Sequence, residues 1–171
     1  MRTVLWKLLE ICLLRAGPQD LPGASRFMLL MLTGYFLVDL LIAQLSFSFG
    51  SAVGVSVLDV LLLAAFTQLL LRGMSKLERF NQTLAAMAGT GQLLGIVALP
   101  LIHGLNLAQA AGESATGFTM LWLLVLVWSL LVLGHILRHA LSVSLMMGVG
   151  FGVLYSLLSA MIVRAVFPQG G

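Results

Sequence analysis

The chain is poor in charge and almost without cysteine. Charged residues make up 9% of its 171 positions, against about 25% in soluble domains, which excludes an ordinary water-exposed surface. Cys12 stands alone, so an intramolecular disulfide framework and any zinc or iron–sulfur site built on cysteines are excluded. Nine basic residues against six acidic ones are a small excess despite a pI near 9.6. They gather at the ends of apolar runs instead of forming a groove-tracking patch, which argues against nucleic acid. What is present is hydrophobic: 60% of residues, with a mean hydropathy of +1.09. That excludes disorder, which requires low hydrophobicity and high net charge.

A hydrocarbon layer about 30 Å thick takes roughly 20 apolar residues of helix. Five segments qualify: 26–45, 51–71, 81–105, 117–137 and 143–166. The third carries Gly89, Gly91, Gly95 and Pro100, breakers that a span tolerates where neighbouring helices satisfy the backbone. Bare backbone groups are not tolerated in hydrocarbon, so the expected fold is an all-α integral membrane bundle in one domain. Arg2, Lys7, Arg15, Arg26, Arg72, Lys76, Arg79 and Arg138 fall on one side of a five-span topology, and Arg164 alone on the other. The loops 46–50 and 106–116 contain no Lys or Arg. This asymmetry predicts a cytoplasmic N-terminus and an external C-terminus, with the bacterial inner membrane as the expected location.

Residues 1–16 do not read as a cleaved signal peptide, because Lys7 and Glu10 interrupt the apolar stretch. Thr3, Lys7 and Glu10 share one helical face, Leu5, Leu8, Leu9, Cys12 and Leu13 lie opposite, and Trp6 flanks them. Two readings fit: a short amphipathic interfacial helix in the headgroup layer, or a helix docked on the protein's own loops. Gly17-Pro18 and Leu21-Pro22-Gly23 then break the chain before the first span, and the tail after Phe167 is too short to fold.

In the stretch from Trp128 to Ser142, a Trp within a span is followed by Gly134, the basic turn His135-Ile136-Leu137-Arg138-His139, and a small-residue start to the last span. Together with five spans and a cytoplasmic N-terminus, this resembles the Yip1-like family of small membrane proteins, whose eukaryotic members bind other membrane proteins and small GTPases. The resemblance implies a five-span fold and a non-enzymatic role. It supplies no catalytic residue and no cofactor.

Ionisable residues inside spans are costly, by about 2.5–3.5 kcal/mol on insertion scales. Asp39 and Asp59 each lie roughly 20 Å from the inner ends of their spans, and Gln92, Tyr155 and Ser129 at roughly 14–18 Å, taking 1.5 Å per residue. A polar layer at one depth is therefore expected. With every Lys and Arg placed elsewhere, the two carboxyls cannot both remain ionised if they are adjacent. The layer serves either as glue between helices, with the carboxyls bonded to Gln92 or Tyr155, or as a proton- or cation-responsive site in a carrier. The third alternative is that the two aspartates face apart. An intramembrane aspartyl protease needs Gly-x-Gly-Asp, and Asp59 follows Ser56-Val57-Leu58.

His135 and His139 have the i, i+4 spacing of a metal pair, but no Cys or third ligand accompanies them. With Arg138 they read as a cytoplasmic cluster facing lipid headgroups. Gly50/Gly54, Gly91/Gly95 and Gly148/Gly152 are small-xxx-small pairs that let helices approach closely. The string 148–152 lies inside a span with no preceding strand, which removes a nucleotide-loop reading. Pro100 with Gly95 and Gly104 marks a potential kink. Scattered methionines read as core filler. No metal, cofactor or soluble catalytic constellation is expected. The expected role is a scaffold or accessory subunit whose partners are the lipid bilayer and a membrane protein or a second copy of the chain. The alternative is a small-solute or proton-coupled carrier using the aspartates, and the two differ in whether a cavity reaches Asp39 and Asp59.

Overall fold

The computed structural model describes residues 2–168, with side chains from Val4 onward. The side chains of Arg2 and Thr3 and the tail 169–171 lie outside the described residues. Six helices follow one another: α1 (Arg2–Cys12), α2 (Ser25–Ala43), α3 (Phe49–Gly73), α4 (Phe80–Ala110), α5 (Thr116–Leu141) and α6 (Leu145–Val166). Single 3-10 turns occupy Pro18–Asp20 and Leu77–Arg79, and no strand occurs among the described residues. Helices α2 to α6 are each long and apolar enough to cross a membrane, as the five hydrophobic runs predict. By build this is an all-helical, multi-span membrane protein.

The predicted third span is the one most extended by the structure. Helix α4 runs 31 residues, unbroken through Pro100, and takes in part of the predicted loop. The missing proline N–H leaves only the carbonyl four residues back, that of half-exposed Ile96, without its helical partner. Between α5 and α6 the reversal takes place at Ser142, which adopts a left-handed φ of 58°. Ser144 then caps α6 by accepting from the Met147 N–H at 3.2 Å.

The spans form a ring in which α4 packs on α2 and α5, α2 on α3, α3 on α6, and α6 on α5. Helices α2 and α4 run parallel. At one end Asn81 donates to the Gly23 carbonyl (3.0 Å) and Ser25 Oγ (3.3 Å), and at the other Asn106 donates to the Leu45 carbonyl (3.4 Å). Small residues set the close crossings. A Cβ on Gly95 would meet Val38 of α2, and one on Gly91 would meet the Tyr35 ring. The α5–α6 crossing is tighter, because a Cβ on Gly148 would meet the Gly134 carbonyl oxygen itself. Of the three glycine pairs, two therefore lie at helix crossings. The third does not, since Gly50 faces open space and only Gly54 is covered, by Phe167.

One end of the bundle carries Arg26, Arg72, Lys76, Arg79 and Arg138, and the half next to it holds most of the core. Every residue of α4 from Thr83 to Thr90 is buried, as are Leu71 of α3 and Ile136, Leu137 and Leu141 of α5. The reason is α1. It packs on α4 and α5, with Leu8, Ile11 and Cys12 buried and the Leu8 side chain against Gly89. Alanine and glycine at 85, 86, 88 and 89 leave room for that helix. Within this half α4 is surrounded by α1, α2, α3 and α5.

The connector after α1 is held by side chains from the spans. Trp128 Nε1 donates to the Cys12 carbonyl (3.1 Å), and His135 Nε2 bonds the Ala16 carbonyl (2.9 Å). Gln82 Nε2 donates to the Leu21 carbonyl (2.8 Å). Cys12 thus lies beside a residue thirteen positions, roughly 20 Å of helix, from the basic end of α5. The helix is docked on the flank of α4 and α5. Its other face, with Leu5, Trp6, Leu9 and Leu13, remains exposed, so it carries an inward and an outward apolar face at once.

Candidate functional site

The other half of the ring is less tightly filled. A cavity of about 270 Å³ lies among the spans, lined by α2 from Tyr35 to Ile42, α4 from Met87 to Ala98, α5 from Trp122 to Leu133, and by Leu63, Tyr155 and Ser156. All five spans contribute to it. Asp39 is the one acidic residue in its lining, which contains no Lys, Arg or His.

The two intramembrane aspartates have different surroundings. Asp59, on α3, is saturated: it accepts from Tyr35 Oη of α2 at 2.5 Å, and from Ser159 Oγ at 2.8 Å and Tyr155 Oη at 3.3 Å, both of α6. Three hydroxyls from two other helices converge on one carboxyl, which ties α2, α3 and α6 together. The Tyr155 ring is further positioned against Phe66, with centroids 5.1 Å apart. Asp39 has no such set. Its buried Oδ2 and the buried Ser56 Oγ of α3 are neighbours that form no well-placed hydrogen bond, so the Ser56 hydroxyl is the single donor facing this carboxyl. Neither aspartate forms an ion pair among the described residues.

The expected polar layer is thus assembled in part. Asp59 and Tyr155 bond directly, while Asp39, Tyr155 and Ser129 line one cavity. Gln92 does not join them. Its Nε2 approaches Met31 Sδ at 3.6 Å, and its Oε1 fills the space that a side chain at Gly34 would need. No hydrogen bond links the two carboxyls, so a proton shared directly between them is not part of the arrangement. Tyr35, Ser159 and Ser56 were not singled out from the sequence. A signal existed: Tyr35 precedes Asp39 by four residues and Ser159 follows Tyr155 by four, and such pairs share a helix face.

In the cluster at the end of α5, the expectation for His135 is corrected. His135 is 6% exposed, bonded to the Ala16 carbonyl and stacked edge-on against His139 with centroids 4.6 Å apart. It faces the folded-back connector, not headgroups. Arg138 and His139 are half-buried, and His139 lines a second, polar pocket of about 280 Å³ with Pro18, Gln19, Arg79 and Gln82. Lys76 Nζ donates to the Leu141 carbonyl (2.8 Å), and Arg79 to the carbonyls of His139 (3.2 Å) and Ala140 (3.1 Å). These two cations satisfy the open carbonyls and the negative dipole end of α5. Among the described residues no group of three or more His, Cys, Asp or Glu is placed to hold a metal ion.

Lys7 and Glu10 pair at 2.8 Å on α1, with both side chains partly exposed. Their hydrogen bond raises the lysine pKa and lowers that of the glutamate. Burial pushes the Cys12 thiol up to about 11, which makes it a poor nucleophile. No known protein family, curated protein or solved structure matches the chain.

Proposed function

We propose that the protein is a small membrane carrier or binding protein that admits a small solute or a proton to the cavity at Asp39. One observation carries this reading: Asp39 is the one acidic residue lining a cavity of about 270 Å³ that contains no Lys, Arg or His, and it lacks the set of hydroxyl donors that Asp59 has. An unpaired carboxyl in low dielectric is expensive unless a proton or cation meets it. A carboxyl that served only as glue between helices would be expected to have its acceptors filled, as those of Asp59 are. No residue is assigned a catalytic role.

We place the basic end and the N-terminus on the cytoplasmic side, most naturally of a bacterial inner membrane, in a Yip1-like five-span arrangement. The charge asymmetry supports the orientation, and the passage from Trp128 to Ser142 supports the family.

The test is access to the cavity. In a Cys12→Ala background, Ser129→Cys and Ala98→Cys are treated in membranes with a small water-soluble thiol reagent, 2-aminoethyl methanethiosulfonate. Modification at both positions, slowed by filling the cavity with Leu130→Trp, is the expected result. A cavity closed to the reagent returns the protein to the second reading, a non-enzymatic scaffold or accessory subunit. That reading draws on the outward face of α1, where Leu5, Trp6, Leu9 and Leu13 offer an apolar stripe beside the spans to lipid, a membrane-protein partner or another copy of the chain. A partner that co-purifies in mild detergent, and is lost on Trp6→Ala with Leu9→Ala, identifies it.

A further inference from the structure

We propose that the cavity is selective for a small organic amine in its cationic form, the ammonium resting on Asp39 and the apolar part lying against the α5 wall. The inference rests on the reading of the cavity as a binding site and specifies its ligand. It follows from the hydrogen-bond inventory of the wall. The lining hydroxyls have already committed their protons inside the bundle: Thr90 donates to the Ala86 carbonyl (2.8 Å), Ser129 to that of Leu126 (2.7 Å) and Ser156 to that of Gly152 (3.0 Å). Tyr35 and Tyr155 both donate to Asp59.

Toward the cavity these groups therefore offer lone pairs, and Asp39 adds the one carboxyl of the lining. The Trp122 indole N–H is the one lining side-chain donor for which no acceptor is found among the described residues. A wall of acceptors suits a ligand that brings several donors. An ammonium has them and also matches the charge of Asp39. A carboxylate or phosphate has none and would be repelled. The rings of Tyr35, Trp122 and Tyr155 border the same space, and aromatic faces attract organic cations. A divalent metal is a poor occupant, because it requires about six oxygen ligands, several of them charged, and only one carboxyl is present.

The experiment compares three probes of one shape on the full-length protein in non-ionic detergent: benzylamine, benzyl alcohol and benzoate, with binding read by calorimetry at neutral pH. Benzylamine is expected to bind at least tenfold more tightly than benzyl alcohol, benzoate is expected not to bind, and 100 mM sodium is expected not to displace the amine. Asp39→Asn should weaken benzylamine at least tenfold and leave benzyl alcohol unchanged. Trp122→Leu, which leaves the carboxyl in place, should weaken the amine more than the alcohol, and it keeps the proposal testable should the first variant fail to fold. Benzyl alcohol binding as tightly as the amine, displacement by sodium, or an unchanged amine affinity in Asp39→Asn each overturns the ligand class while leaving a binding cavity. Failure of all three probes to bind counts against the cavity itself as a binding site.

Discussion

The half of the bundle next to the basic end and the half away from it are built from the same helices but packed in opposite ways. In the first, α4 is buried on every side from Thr83 to Thr90, α1 covers its outer face, and the connector carbonyls meet Trp128, His135 and Gln82. In the second, no residue of α4 between Gly91 and Leu107 is fully buried, and the spans leave a cavity lined by Asp39. Helix α1 supplies the difference: it spans only part of the bundle's height, so only that part is sealed. Dense packing and the polar cavity are thus separated along one axis of the bundle.

The largest expected effect breaks the dense half at its tightest point. Gly148→Ala places a Cβ against the Gly134 carbonyl and should destabilise by about 3 kcal/mol or more, read as a fall in the thermal midpoint in detergent. Gly50→Ala, in open space, should stabilise the helix by roughly 0.5–1 kcal/mol. Next, the two aspartates should separate. Asp59→Leu strands three hydroxyls and should cost about 3 kcal/mol, whereas Asp39→Leu, which removes a carboxyl with an unpartnered oxygen, should be neutral or stabilising. Equal losses for both would mean that Asp39 has a structural partner and would remove the contrast between the halves.

A smaller effect concerns the seal. His135→Leu leaves the Ala16 carbonyl without its partner, at about 1–3 kcal/mol, and should loosen α1. Cys12, buried and with its thiol pKa pushed up to about 11, should resist maleimide at pH 7 in the native protein and react faster in this variant. The smallest effect lies outside the seal, at Lys7–Glu10. The glutamate pKa is lowered on folding, so its contribution is present above its unfolded value of 4.5 and is lost as pH falls through the folded one. The lysine pKa is raised, so its contribution is present below 10.5 and is lost as pH rises through the folded value. Between these limits Glu10→Gln should lower the thermal midpoint slightly, and added salt should erase the difference, since both side chains are open to screening.

The sequence made the spans legible because a bilayer imposes its own length on any apolar helix. Residues 26–45, 51–71, 117–137 and 143–166 match α2, α3, α5 and α6 closely. The third departs at its far end, because Pro100 and the polar stretch after Leu105 look like a boundary while the backbone continues as helix to Ala110. The site was half legible. Depth along a span comes from counting residues, so Asp39, Asp59, Tyr155 and Ser129 could be placed in one layer. Azimuth comes from packing, so the sequence could not show that Gln92 turns to Met31 and Gly34, or that His135 turns to Ala16 and away from the headgroups.

Hydropathy and charge placement alone thus determined that this is an all-helical protein with five apolar spans and its basic residues gathered at one end. Each of those properties belongs to a single segment meeting water or lipid. Only the tertiary structure decided which aspartate is saturated, where the cavity lies and what α1 covers. Those depend on which faces of different helices meet, and that is settled by the fit of side chains across crossings such as Gly134 on Gly148.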